Sequence, residues 1–131
     1  MAAFDLTKEK PGAWFDYEEG RVQLRIITTE IYREIKKKTV KKRIVYKTVD
    51  GKPSRFEYEE EDEDQRSQLF WDYNIVDWEN FFDISGKPIP CTAENKMLLL
   101  SRVPRFLDFV NKSLDQLRKD EEFYAEEEEK N

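Results

Sequence analysis

The chain has 131 residues and a mass of 15.8 kDa, enough for one domain and little more. Charged residues make up 40% and the net charge is −6, yet aromatic residues reach 14%, which excludes a disordered chain and calls for a small folded core with charged arms. Histidine is absent and cysteine occurs once, at Cys91, which excludes histidine-based nucleophile systems, Cys/His zinc sites and an internal disulfide framework.

Residues 1–11, with the run Lys8-Glu9-Lys10-Pro11, read as a flexible lead-in. Met1 to Asp5 has no basic stretch followed by an apolar one, so no secretory leader is expected. No apolar run approaches the ~20 residues of a membrane span, so no membrane partner is expected either. Residues 12–119 read as a single α+β domain, β-rich over 12–60 and helical over 61–119, followed by an acidic tail over 120–131.

In chain order, Ala13 to Tyr17 and Arg21 to Ile26 flank Glu18-Glu19-Gly20 and predict a hairpin turning at Gly20. Thr28 and Thr29 can cap a helix from Glu30 to about Thr39, with Ile27, Ile31 and Ile35 on one side. Residues 41–48 and 54–60 predict a second hairpin around Asp50-Gly51. With an odd-numbered loop, Ile44 and Tyr46 would share an inner face with Phe56 and Tyr58. Lys41, Arg43 and Lys47 would then meet Arg55, Glu57 and Glu59 outside.

Glu61 to Asp64 supplies acids where a helix N-terminus favours them, and the helix should run to about Tyr73. Val76-Asp77-Trp78 receives no element. Phe81 to Pro90 reads as a tight loop or miniature hairpin around Ser85-Gly86. Thr92 caps a helix from Ala93, and Pro104 opens a last one. Val103, Phe106, Leu107, Val110, Leu114 and Leu117 give it the clearest helical periodicity in the chain. The expected fold class is α+β: a small antiparallel sheet of two hairpins with a short helix in the N-terminal half, and a helical C-terminal half. Whether the halves share one core stays open.

Several patterns hold residue types that can carry chemistry. Residues 33–47 hold Arg33, Lys36, Lys37, Lys38, Lys41, Lys42, Arg43 and Lys47 against Glu34 alone, a local charge of +7. Such a run can bind phosphates by releasing counterions, which makes a nucleic-acid-binding module the alternative function. Seven acids over 57–64 fold back across it, however, and the chain is acidic overall, so internal pairing accounts for both runs and disfavours nucleic acid. A calcium loop starting at Asp62 fails because Ser67 and Tyr73 stand where glycine and glutamate are needed. Glu34-Ile35-Lys36 has the Glu-x-Lys spacing of some nuclease sites but lies on a predicted helix without an acidic partner from a strand. Cys91 precedes a helix, which lowers a thiol pKa; with no base nearby it reads as a small packing residue. Trp71, Tyr73, Trp78, Phe81 and Phe82 read as core anchors, with some left exposed as a docking patch. No catalytic residue, metal or cofactor is expected.

Trp78-Glu79, Asp83 to Pro90 and Thr92 to Asn95, within about a third of the chain, give a sequence that resembles the tail assembly chaperones of long-tailed bacteriophages and prophages. Trp78-Glu79, the turn from Asp83 through Gly86-Lys87-Pro88 to Pro90, and Thr92-Ala93-Glu94-Asn95 match that family's motifs in order. The resemblance implies a non-enzymatic protein of the bacterial host cytoplasm. Its partners would be the aggregation-prone tape-measure protein and the tail tube protein, with self-association open. It also implies a partner-binding surface, for which Trp78, Phe81, Phe82, Phe106, Phe109, Val110, Leu114 and Leu117 are the candidates. Many such chaperones have a longer form made by ribosomal frameshifting. Glu129-Lys130-Asn131 can be encoded GAA-AAA-AAC, which contains the slippery heptamer A-AAA-AAC.

Overall fold

Strand β1 (Ala13–Tyr17) runs antiparallel to β2 (Gly20–Leu24), and Tyr17 pairs with Gly20 across the two-residue turn Glu18-Glu19. These positions come from a computed structural model that describes residues 2–130, with side chains through Glu121. Asn131 and the side chains of Glu129 and Lys130, which carry the frameshift expectation, lie outside the described residues, as do the other side chains of the acidic tail beyond Glu121. Gly20 therefore belongs to the strand and not to the turn. Its requirement is space: a Cβ there would lie 2.7 Å from both the Glu79 carbonyl oxygen and the Phe81 ring.

The other edge of β2 pairs with β5 (Ile75–Glu79), a strand the sequence reading does not contain. The three-stranded sheet has the order β1-β2-β5. Val22 sits opposite Trp78 and Leu24 opposite Ile75, and all four are buried. Helices α3 (Ala93–Arg102) and α4 (Pro104–Lys130) supply Leu100, Phe106, Val110 and Leu114 to the same cluster. The two halves of the chain thus share one core, with the sheet from both halves on one side and C-terminal helices on the other. Arg21 forms a bidentate pair with Glu79 at 2.7 and 3.0 Å, and its guanidinium lies 4.2 Å from the Trp14 ring centroid.

Helix α1 (Thr29–Lys38) starts where Thr28 Oγ1 accepts from the Ile31 amide, and it buries Ile31 and Ile35. Helix α2 (Glu63–Asn74) starts where Asp62 accepts from the Gln65 amide. Two side chains tie α2 to the body. Arg25 donates to the Tyr73 carbonyl at 2.7 Å while lying over the Tyr73 ring. Lys96, buried on α3, donates to the Asp72 carboxylate at 2.9 Å and to the Asp72 carbonyl at 3.1 Å. Before β1, Lys8 pairs with Glu34 at 2.7 Å and Gln23 donates to the Pro11 carbonyl.

Strands β3 (Val40–Val49) and β4 (Lys52–Glu61) form a separate two-stranded ribbon. Its connection is the two-residue turn Asp50-Gly51, with φ of +52° and +75°. Positive φ at both positions is the turn form whose twist matches a tight hairpin. The loop is therefore even-numbered, which overturns the expected faces. Val45 sits opposite Phe56 and Arg43 opposite Tyr58, while Ile44 faces Glu57 and Tyr46 faces Arg55. One face carries Lys41, Arg43, Val45 and Lys47 with Phe56, Tyr58 and Glu60. The other carries Lys42, Ile44 and Tyr46 with Arg55, Glu57 and Glu59. There is no aromatic inner face, and Ile44, Tyr46 and Tyr58 are exposed. The architecture is α+β, with small antiparallel sheets and a helical C-terminal half. Among the described residues, no helix is long and apolar enough to cross a membrane.

Candidate functional site

The turn after β5 builds the site. Asp83 holds it: its carboxylate accepts from Ser85 Oγ at 2.6 Å, the Ser85 amide at 2.9 Å and the Lys87 amide at 3.0 Å. Those donors, Ser85 Oγ foremost, hold the Asp83 carboxyl below its ordinary pKa. Gly86 adopts φ +84° to close the turn, and Phe82 bridges to Pro88. The consequence is outward display. Phe82 is 55% exposed, and Ile84 stands free at the tip.

Beside this turn lies a groove of about 810 Å³ between the β1–β2 turn and the α3–α4 junction. Phe81, Ile89, Leu99, Val103 and Phe106 form its floor. Phe82 and Ile84 form one lip, and Glu18, Glu19, Asp83, Arg102 and Arg105 supply charge around it. Arg105 reaches Glu18 at 3.4 Å across one end. The floor is stiff because it is the outer layer of the core. Phe81 stacks on Trp78 at 5.2 Å, and the Trp78 indole donates to the Ile89 carbonyl at 2.7 Å. Tyr17 lies between Phe81, Phe106 and Phe109, with ring centroids 6.1, 5.4 and 4.9 Å away. Its hydroxyl is buried without a hydrogen-bond partner in the groove wall.

The eight expected surface residues divide accordingly. Trp78, Phe106, Val110 and Leu114 are core residues, so the helical stripe of α4 faces inward and is not a docking face. The reason is physical: a regular apolar period marks the side of a helix that the fold covers. Phe81, Phe109 and Leu117 are half-buried, and Phe82 alone of the eight is open. The groove gathers Phe81, Phe82 and the edge of Phe106. Sequence reasoning missed Ile84, Tyr17, Leu99 and the two arginines. Ile84 could have been found, because an apolar residue at the tip of a tight turn has nothing to pack against.

Cys91 is half-buried against the core, and burial pushes its thiol pKa up, outweighing the attraction of Lys96. It is a packing residue without thiolate character.

Internal pairing of the basic run is partial. Lys41 reaches Asp62 at 3.3 Å. Among the described residues, Arg33, Lys36, Lys37, Lys38, Lys42, Arg43 and Lys47 have no carboxylate within 4.0 Å. Arg33, Lys36, Lys37 and Lys42 line a cleft of about 450 Å³ with Val40 and Glu59.

No curated protein and no solved structure matches the chain. A family model described as "YdaY prophage protein" matches residues 15–131, which takes in every element of the fold but the first two residues of β1. The match supports a phage or prophage protein, the setting that the sequence resemblance implies, without naming a tail assembly role. On that match the chain belongs to the YdaY prophage protein family.

Proposed function

We propose that this prophage protein is a non-enzymatic tail assembly chaperone acting in the host cytoplasm, and that its groove holds apolar helical segments of the tape-measure protein before tail tube subunits assemble around them. The observation that carries this reading is the groove itself: an apolar floor with charge around it, flanked by the displayed side chains of Phe82 and Ile84. Amphipathic helices bind in grooves of this kind through a few apolar anchors, and surrounding charge keeps the complex soluble. Membership in a prophage family and the motifs from Trp78 to Asn95 support the same reading. The mechanism is masking. Apolar side chains of the client leave water for Phe81, Val103, Phe82 and Ile84, and Arg102, which has no carboxylate within 4.0 Å among the described residues, meets acids on its polar face.

The test is co-expression with the tape-measure protein encoded by the same prophage, scored by soluble co-purification. The native chain is expected to carry the client into the soluble fraction. The double variant Phe82→Asp/Ile84→Asp should remain folded, because both side chains are exposed, and should lose the client. A client that stays insoluble with the native chain, or that co-purifies equally with the double variant, overturns the reading.

A further inference from the structure

The cleft between α1 and the base of the ribbon carries a second binding surface. Helix α1 presents Arg33, Lys36 and Lys37 on its exposed side. The chain reverses at Thr39, and β3 brings Lys42 up against them, so four cations line one cleft with Glu59 as the one acid in its wall among the described residues. Three neighbouring acids hold other partners, Glu34 with Lys8 at 2.7 Å, Glu61 with Arg66 at 3.1 Å and Glu57 with Arg55 at 3.1 Å, while Glu60, Glu63 and Asp64 line a separate pocket with Lys41. The register sets the rest. Lys42 and Tyr46 share one face of the ribbon, and Tyr46 is 72% exposed with Arg55 opposite. Four residues of strand separate the two positions by ~14 Å.

We propose that this surface binds single-stranded nucleic acid, with the backbone phosphates in the cleft of Arg33, Lys36, Lys37 and Lys42 and a base stacked on Tyr46. Unpaired cations in a groove together with an exposed ring on the same face are what sequence-tolerant single-strand binding uses. A duplex keeps its bases stacked on one another and offers the ring nothing. The chain as a whole is acidic, so its long-range field opposes a polyanion, and the attraction comes from this cleft at short range. The surface lies apart from the groove, and the proposal does not depend on the client.

Fluorescence anisotropy of a labelled oligothymidylate with the full chain tests it. Binding is expected at about 50 mM salt and should fall steeply towards about 200 mM. The triple variant Lys36→Gln/Lys37→Gln/Lys42→Gln should flatten the log–log salt slope by about 2, at roughly 0.7 per lost phosphate contact. Tyr46→Ala should weaken binding roughly tenfold while leaving that slope unchanged. No binding by the native chain at low salt overturns the proposal, as does a slope unaltered in the triple variant. Equal affinity for a duplex of the same length, or equal displacement by a glutamate-rich peptide, overturns it too.

Discussion

The body of this protein and its ribbon follow different rules. In the body, Val22, Leu24, Ile75, Trp78, Phe106 and Val110 come from three elements and close on one another. In the ribbon, β3 and β4 pair along their whole length, yet Ile44, Tyr46 and Tyr58 remain exposed because, among the described residues, no third element packs along either face. Backbone pairing is satisfied in both regions. What differs is apolar burial, the larger stabilising quantity. The body is held by its side chains, and the ribbon by its ladder and its turn. This division would suit the two proposed tasks, since a groove needs a packed floor and a cationic arm needs open side chains.

The largest effect should come from the body. Phe106 is 1% exposed, and Phe106→Ala should cost about 3–5 kcal/mol in denaturant unfolding. Excising residues 41–60 and joining Val40 to Glu61 through a short Gly-Ser turn should change stability by no more than about 1 kcal/mol, because those two residues are already strand partners. If the excised chain unfolds, the ribbon is part of the core and the comparison fails. A smaller effect sharpens it within the body. Gly20→Ala places a methyl 2.7 Å from the Glu79 carbonyl oxygen and the Phe81 ring. Overpacking of this kind costs about 1–3 kcal/mol. Because Phe81 floors the groove, client binding should weaken as well. A variant as stable as the native chain would show that β5 and the turn after it can shift aside.

Local rules were legible in the sequence, and long-range ones were not. Thr28 and Thr92 cap their helices as expected, because a cap is decided within four residues. The tight turn around Ser85-Gly86 was legible for the same reason. Strand β5 was not: five residues follow a helix directly, and their strand character comes from pairing with β2, more than fifty positions away. The ribbon faces depended on the parity of one loop, and a single residue in that count exchanges every side chain between faces. The site failed in a related way. Apolar periodicity in α4 reports the buried face, so Phe106, Val110 and Leu114 were the α4 positions least able to meet a partner. Open apolar residues carry no period: Phe82 was legible only as part of an aromatic cluster, and Ile84 had to be found from the turn that displays it.

The smallest effect concerns that turn. Its clamp is one carboxylate, and the Asp83 pKa is held below the ordinary value of 3.8 by Ser85 and by the Lys87, Ser85 and Gly86 amides. A depressed carboxylate contributes stability that is fully present above its unfolded pKa and is lost as pH falls through its folded pKa. The turn should therefore hold at neutral pH and loosen only in acid, below about pH 4. Trp78 reports it, stacked on Phe81 and bonded to the Ile89 carbonyl at either end of the turn. Glu34, Glu61, Asp62 and Glu79 also have lowered pKa values from ionic and hydrogen-bonded partners, so acid titration of the native chain mixes several losses. Asp83→Asn isolates one of them. The amide keeps an acceptor oxygen without the charge, so at neutral pH the variant should give the tryptophan signal that the native turn reaches only in acid. Its acid transition should lack the step belonging to Asp83. If the two titrations superimpose, the charge on Asp83 does not hold the turn, and the display of Phe82 and Ile84 rests on Gly86 and the proline-stiffened backbone alone.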